Sequence, residues 1–153
     1  MTNTQETSSA GFAAFLDTYH AALIRQSHGE PGPLRDLWSK SDDVRFLSPM
    51  GGYQIGYEQV TGLLAVVSST LSYEEFKADN LLTMVDEHIA VTMEIEHIAR
   101  KPDPTRDSAW PDELGLRVTT VYRREEDGWR LVARHANPFE ELDFPLYTEA
   151  KGA

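Results

Sequence analysis

The apolar residues of this chain change their spacing about halfway along it, and that change restricts the possible folds more than any other feature. Phe12, Phe15, Leu16, Tyr19 and Leu23 recur at intervals of three and four, which puts them on one face of a helix. Ser8 or Ser9 is a candidate cap for its start, and the Gly- and Pro-rich stretch 27–33 must end it. Leu34, Leu37 and Trp38 fit a short second helix with Pro33 in its first turn. Val44, Phe46 and Ser48 read as one face of a short strand running into the turn Pro49-Met50-Gly51-Gly52. Tyr57, Val60, Leu63, Leu64 and Val67 then return to helical spacing. Beyond them the period falls to two, and segments 73–82, 89–99, 114–124 and 129–137 read as strands. Residues 86–87 and 125–128 are tight connections, and 101–111, with three prolines, is a longer loop.

Helices first, then strands joined by hairpins, predict an α+β domain with three N-terminal helices covering one face of a strongly curved antiparallel sheet. Such a sheet leaves an internal pocket at its open end, where a small molecule can bind. A length of 153 residues suits one core. Residues 1–9 are expected to be a flexible N-terminus and 10–137 the domain. Phe139, Leu142, Phe144, Leu146 and Tyr147 make the tail, 138–153, too apolar for a free linker. It is expected to pack on the domain or on a dimer partner.

The formal net charge is −11, a sign that repels phosphate backbones and argues against nucleic acid as a partner. There is no cysteine, which removes disulfides, thiol nucleophiles and Cys-based zinc sites. No apolar run approaches the ~20 residues a bilayer requires, and the N-terminus lacks a secretory pattern. A cytoplasmic protein is therefore expected. His20, His28, His88 and His97 have no metal-ligand spacing among themselves, so no metal is expected, and no cofactor.

Leu37-Trp38-Ser39, Asp42-Asp43-Val44, Pro49-Met50-Gly51-Gly52, Gly56-Tyr57-Glu58-Gln59-Val60 and Gly128-Trp129-Arg130-Leu131-Val132, followed by Arg134-His135, stand in an order that resembles the SnoaL-like, ketosteroid isomerase-like proteins of the nuclear transport factor 2-like superfamily. The resemblance runs from about Gly11 to Asn137. It implies a cone-shaped fold, usually dimeric, with a deep pocket between helices and sheet. Isomerases, cyclases, dehydratases, epoxide hydrolases and non-catalytic association domains all share that fold, so the fold alone does not deliver the function.

In the isomerases a carboxylate base moves a proton while a tyrosine and a protonated aspartic acid hold the enolate. By resemblance Tyr19 falls on the tyrosine position and Ser48 on that of the base. The second donor would lie near Thr119 and Thr120, where there is no carboxyl group. A serine is no proton shuttle without a separate base, so that mechanism is not expected.

Other residues supply candidates. Glu94 and Glu96 share one strand face. They form an acid/base pair if that face lines the pocket, and are surface charges if it meets solvent. Arg117 and Thr119 share one face of the next strand, Val118 and Thr120 the other; Arg117 is a candidate for a carboxylate ligand or, preferably, for pairing with a glutamate. Arg134 and His135 point to opposite faces, with His135 a candidate general base. Phe15, Trp38, Phe46, Met50, Tyr53 and Tyr57 would line a pocket for an apolar or aromatic molecule, or else fill a core. The expectation is a small-molecule pocket protein, an isomerase, cyclase or hydratase lacking the ketosteroid isomerase base. The alternative is a non-catalytic dimerisation or regulatory module.

Overall fold

The computed structural model describes residues 4–70, 72–107 and 110–139. Most of the tail therefore lies outside the described residues, as do the packing expected of Leu142, Phe144, Leu146 and Tyr147. Helix α1 spans Thr4–Ser27 and α2 spans Gly32–Arg35. Strands β1 (Arg45–Leu47) and β2 (Gln54–Ile55) precede helix α3 (Tyr57–Thr70). Then come β3 (Glu75–Val85), β4 (Ile89–Ala99), β5 (Glu113–Glu125) and β6 (Gly128–Pro138). Because α1 begins at Thr4, Ser8 and Ser9 are inside the helix and do not cap it, and the helix takes in residues expected to precede the domain.

The strands form one open sheet in the order β2-β1-β6-β5-β4-β3. Strands β3 to β6 are antiparallel neighbours, as the hairpin spacing predicts. Strand β1, however, lies parallel to β6, with Phe46 opposite Arg134, so the sheet is mixed. Parallel pairing follows from chain path: some eighty residues separate the two strands, and no hairpin constrains their direction. Register shifts at Asn80/Leu82 and Val121/Tyr122 add local twist. The β5–β6 hairpin closes over Glu126 and Asp127, and Gly128 follows with φ of +120°, a conformation that costs a side chain least when it is absent.

The apolar stripe of α1 lies on this sheet. Phe12 meets Tyr122 and Trp129 edge to face, with ring centroids 4.9 and 5.2 Å apart. Tyr19, Leu23, Leu34, Trp38, Val44, Phe46, Val60, Leu64 and Leu131 complete one buried cluster. Strand β4 inverts the usual pattern. Its inward positions are Ala90, Thr92, Glu94 and Glu96, all buried, whereas Ile89 and Met93 face outward and are exposed. A polar row against the helices requires partners, and these define the site.

Candidate functional site

A cavity of about 110 Å³ opens between the helices and the inner face of the sheet. Leu23, Gln26 and Ser27 from α1, and Leu64 and Val67 from α3, line one side. Phe46, Ser48, Pro49 and Met50 bring the end of β1 to it, and Phe76, Ile98, Leu114 and Leu116 the sheet. Its charged side chains are Glu96 and Arg134. The remainder of the lining is mainly apolar, the usual make-up of a small-molecule site.

Glu96 and Arg134 form a buried bidentate pair. Arg134 donates from Nη1 to Glu96 Oε1 at 2.9 Å and from Nη2 to Oε2 at 2.5 Å. The same Nη1 donates to the Tyr19 hydroxyl at 2.6 Å. Burial pushes the Tyr19 phenol up to about 12, against the opposing pull of the Arg134 charge, so Tyr19 stays neutral. Burial alone would favour loss of the Arg134 proton, but the Glu96 charge and its hydrogen bonds outweigh that and hold the guanidinium more firmly protonated than usual. Tyr19 is behind this pair, fully buried.

Two residues along β4, Glu94 takes a different partner. His20 Nε2 is 3.0 and 2.9 Å from its two carboxylate oxygens. That hydrogen bond raises the His20 pKa above its ordinary value, although partial burial opposes it. Deeper in the core, Tyr122 shares a hydrogen bond of 2.9 Å with Thr92. The buried Thr120 hydroxyl approaches both Tyr19 and Tyr122 closely enough to affect their ionisation, yet makes no hydrogen bond of ordinary geometry.

The start of the long loop is anchored beside the cavity. Arg100 donates to Asp112 Oδ1 at 3.1 Å and to the Trp110 carbonyl at 2.7 Å, and lies over the Tyr73 ring at 5.1 Å. Trp110 and Tyr73 both reach the cavity wall.

Of the candidate residues, Glu96, Arg134, Phe46, Ser48 and Met50 meet at the cavity. Tyr19 adjoins it from the core side, through Arg134, whereas Glu94 and its partner His20 are not part of the cavity wall. Phe15, Trp38 and Tyr57 pack in or against the core cluster rather than line the cavity. Tyr53 is exposed at 68% and lies outside it. Val118 and Thr120 are the inward pair of β5, so Arg117 and Thr119 face outward, and the guanidinium that pairs with Glu96 is that of Arg134 instead. His135 is opposite Thr119 on the exposed face. It is therefore no base for this cavity. Both glutamates face inward, but each is tied to a partner of its own, Glu94 to His20 and Glu96 to Arg134, rather than to the other.

Sequence reasoning missed Gln26 and His20. Gln26 continues the α1 stripe at three residues past Leu23 and seven past Tyr19; a polar residue on that stripe was the available signal. Among the described residues no group of His, Asp and Glu side chains is arranged to hold a metal, and no helix is long and apolar enough to cross a membrane.

The model of the SnoaL-like domain family matches residues 13–138, most of the chain, and the protein belongs to that family. No curated protein sequence matches the chain. Solved structures do. A predicted dehydratase of the NTF2-like family from Streptomyces avermitilis is 20% identical, covering 89% of this chain and 99% of its own, with a TM-score of 0.67. A predicted calcium/calmodulin-dependent protein kinase type II association domain from Thiobacillus denitrificans is also 20% identical, over 84% and 94%, with a TM-score of 0.67. A ketosteroid isomerase-like protein from Erwinia carotovora atroseptica is 12% identical, over 86% and 96%, again with a TM-score of 0.67. At these identities the likeness is one of fold.

Proposed function

We propose that this SnoaL-like domain is a binding domain for a compact, mainly apolar small molecule, held in the cavity between α1, α3 and the sheet. The observation that carries this reading is an apolar cavity walled on one side by a satisfied buried ion pair, Glu96–Arg134. The pair gives the site fixed polarity without a free charge. The catalytic forms of the reading, an isomerase, cyclase or hydratase, need a base in reach of the cavity. Ser48 is none, and Glu96 has both oxygens engaged by Arg134, so the geometry favours binding over proton transfer. A volume of about 110 Å³ suits a single ring rather than a steroid; an apolar protein cavity of roughly 150 Å³ takes benzene.

The test is a screen of single-ring compounds by thermal unfolding and two-dimensional NMR. At ten times its Kd a ligand adds about 1.4 kcal/mol of stability. The expected result is a raised Tm, with shifts centred on the amides of Leu64 and Leu116. A set of such compounds that moves neither would overturn the reading.

A second reading, self-association, is favoured by a separate observation. The outer sheet face exposes Leu82, Met84, Ile89 and Met93, with Leu82 and Met93 directly paired. Contiguous exposed apolar surface of this kind suits a second copy of the chain. Sedimentation should give a dimer that Met93→Lys dissociates; a monomer at micromolar concentration would count against it.

A further inference from the structure

Gln26 is 7% exposed, and two of its polar atoms are held by hydrogen bonds while a third is not. Its Nε2 donates to the Leu64 carbonyl at 2.7 Å, and its main-chain carbonyl accepts from the Ser68 hydroxyl at 3.1 Å. These bonds tie α1 to α3 and set the orientation of the side-chain amide, because a flipped amide would face the Leu64 carbonyl with another oxygen. The remaining atom, Gln26 Oε1, is buried without a hydrogen-bond partner, on a residue that lines the cavity. A buried acceptor left in that state is costly unless whatever fills the space donates to it.

The rest of the lining narrows that donor's chemistry. Glu96 is a second acceptor on the wall, and Arg134 is committed to it and to Tyr19. The Tyr73 hydroxyl is already given to the Pro111 carbonyl. An anionic ligand would bring its charge beside the Glu96 carboxylate, which already balances the Arg134 charge.

Resting on the reading of this cavity as a binding site, we infer that Gln26 Oε1 is its polar anchor and that the ligand is a neutral hydroxyl compound with an apolar body of about one ring. The hydroxyl donates to Gln26, and the ring lies among Leu23, Leu64, Phe46 and Leu116. Gln26 thereby selects alcohols and phenols over hydrocarbons of the same shape.

Phenol and toluene form a test pair, since they differ by a hydroxyl in place of a methyl group. Both are titrated by NMR into the wild-type protein and Gln26→Met, following the amides of Ser48 and Leu64. Toluene leaves water more readily, so an indifferent apolar site favours it. The anchor predicts that wild type binds phenol at least as tightly, and that Gln26→Met swings the ratio about tenfold toward toluene. An unchanged ratio in the variant overturns the anchor and leaves the cavity a binding site. Should Gln26→Met fail to fold, the wild type alone decides: a preference for toluene as large as its partition from water overturns the anchor. If neither compound perturbs these amides, the binding reading falls and the anchor falls with it.

Discussion

Glu94 and Glu96 occupy adjacent inward positions of β4, and both carboxylates are 2% exposed, yet their partners differ in kind. Glu96 faces Arg134, itself 9% exposed and permanently charged, whereas Glu94 faces His20, a quarter exposed and titratable. One pair is sealed, with its guanidinium held firmly protonated; the other opens to solvent, and its histidine takes up a proton more readily than usual. The contrast teaches that burial of an acid does not by itself create a catalytic group. A carboxylate clamped in both oxygens by a guanidinium is a structural and orienting element, while one shared with a histidine is a proton-sensitive contact.

The sharpest way to break the comparison is to remove one partner of each pair. Arg134→Met strands the Glu96 carboxylate and should cost about 3–5 kcal/mol in urea unfolding. Adding Glu96→Leu to that variant should restore most of the loss, since an apolar pair of similar volume is often neutral. If the single variant unfolds at the wild-type midpoint, the sealed pair is not what the geometry says it is.

Glu94→Gln should have a smaller effect, about 1–2 kcal/mol, because His20 reaches water once its partner is gone. It should also lower the His20 pKa, read directly from the imidazole NMR signals. A His20 titration that stays raised in this variant would mean that Glu94 is not its cause.

The pH dependence follows from the same shift. The His20 pKa is raised on folding, chiefly by the Glu94 hydrogen bond, so its contribution is complete below the unfolded value of 6.5 and is lost as pH rises through the higher folded value. Stability should therefore decline across that window in the wild type and not in His20→Gln. Arg134 does not titrate there and should add no slope.

The smallest effect belongs to the buried hydroxyl of Thr120. Thr120→Val removes a buried oxygen that has no ordinary hydrogen bond and keeps the side chain's shape. It should be neutral or stabilising by about 0.5–1 kcal/mol in thermal unfolding. A clear loss would reveal that Thr120 does bond Tyr19 or Tyr122 and helps to couple the pairs.

Local pattern was enough for the long elements, but not for the two-residue β2, and Leu37 and Trp38, expected on the second helix, lie past the end of α2. The stripe Phe12–Phe15–Leu16–Tyr19–Leu23 and the later alternation with period two specify helices and strands because backbone geometry fixes those periods residue by residue. The family resemblance, spread over short segments in a set order, was equally legible. By itself the sequence also placed Glu94 with Glu96, and Arg134 opposite to His135, because alternation along a strand requires it. It did not decide which of two faces is inside. On β4 the apolar residues Ile89 and Met93 point outward and the acids inward, the reverse of what hydrophobicity alone recommends. Only the tertiary structure decided that, because the partners that make the acids tolerable in the interior, Arg134 and His20, come from 38 and 74 residues away. A polar side chain is acceptable in a core when its hydrogen bonds are met there, and a contact formed at such distance along the chain leaves no mark in the local spacing of residues.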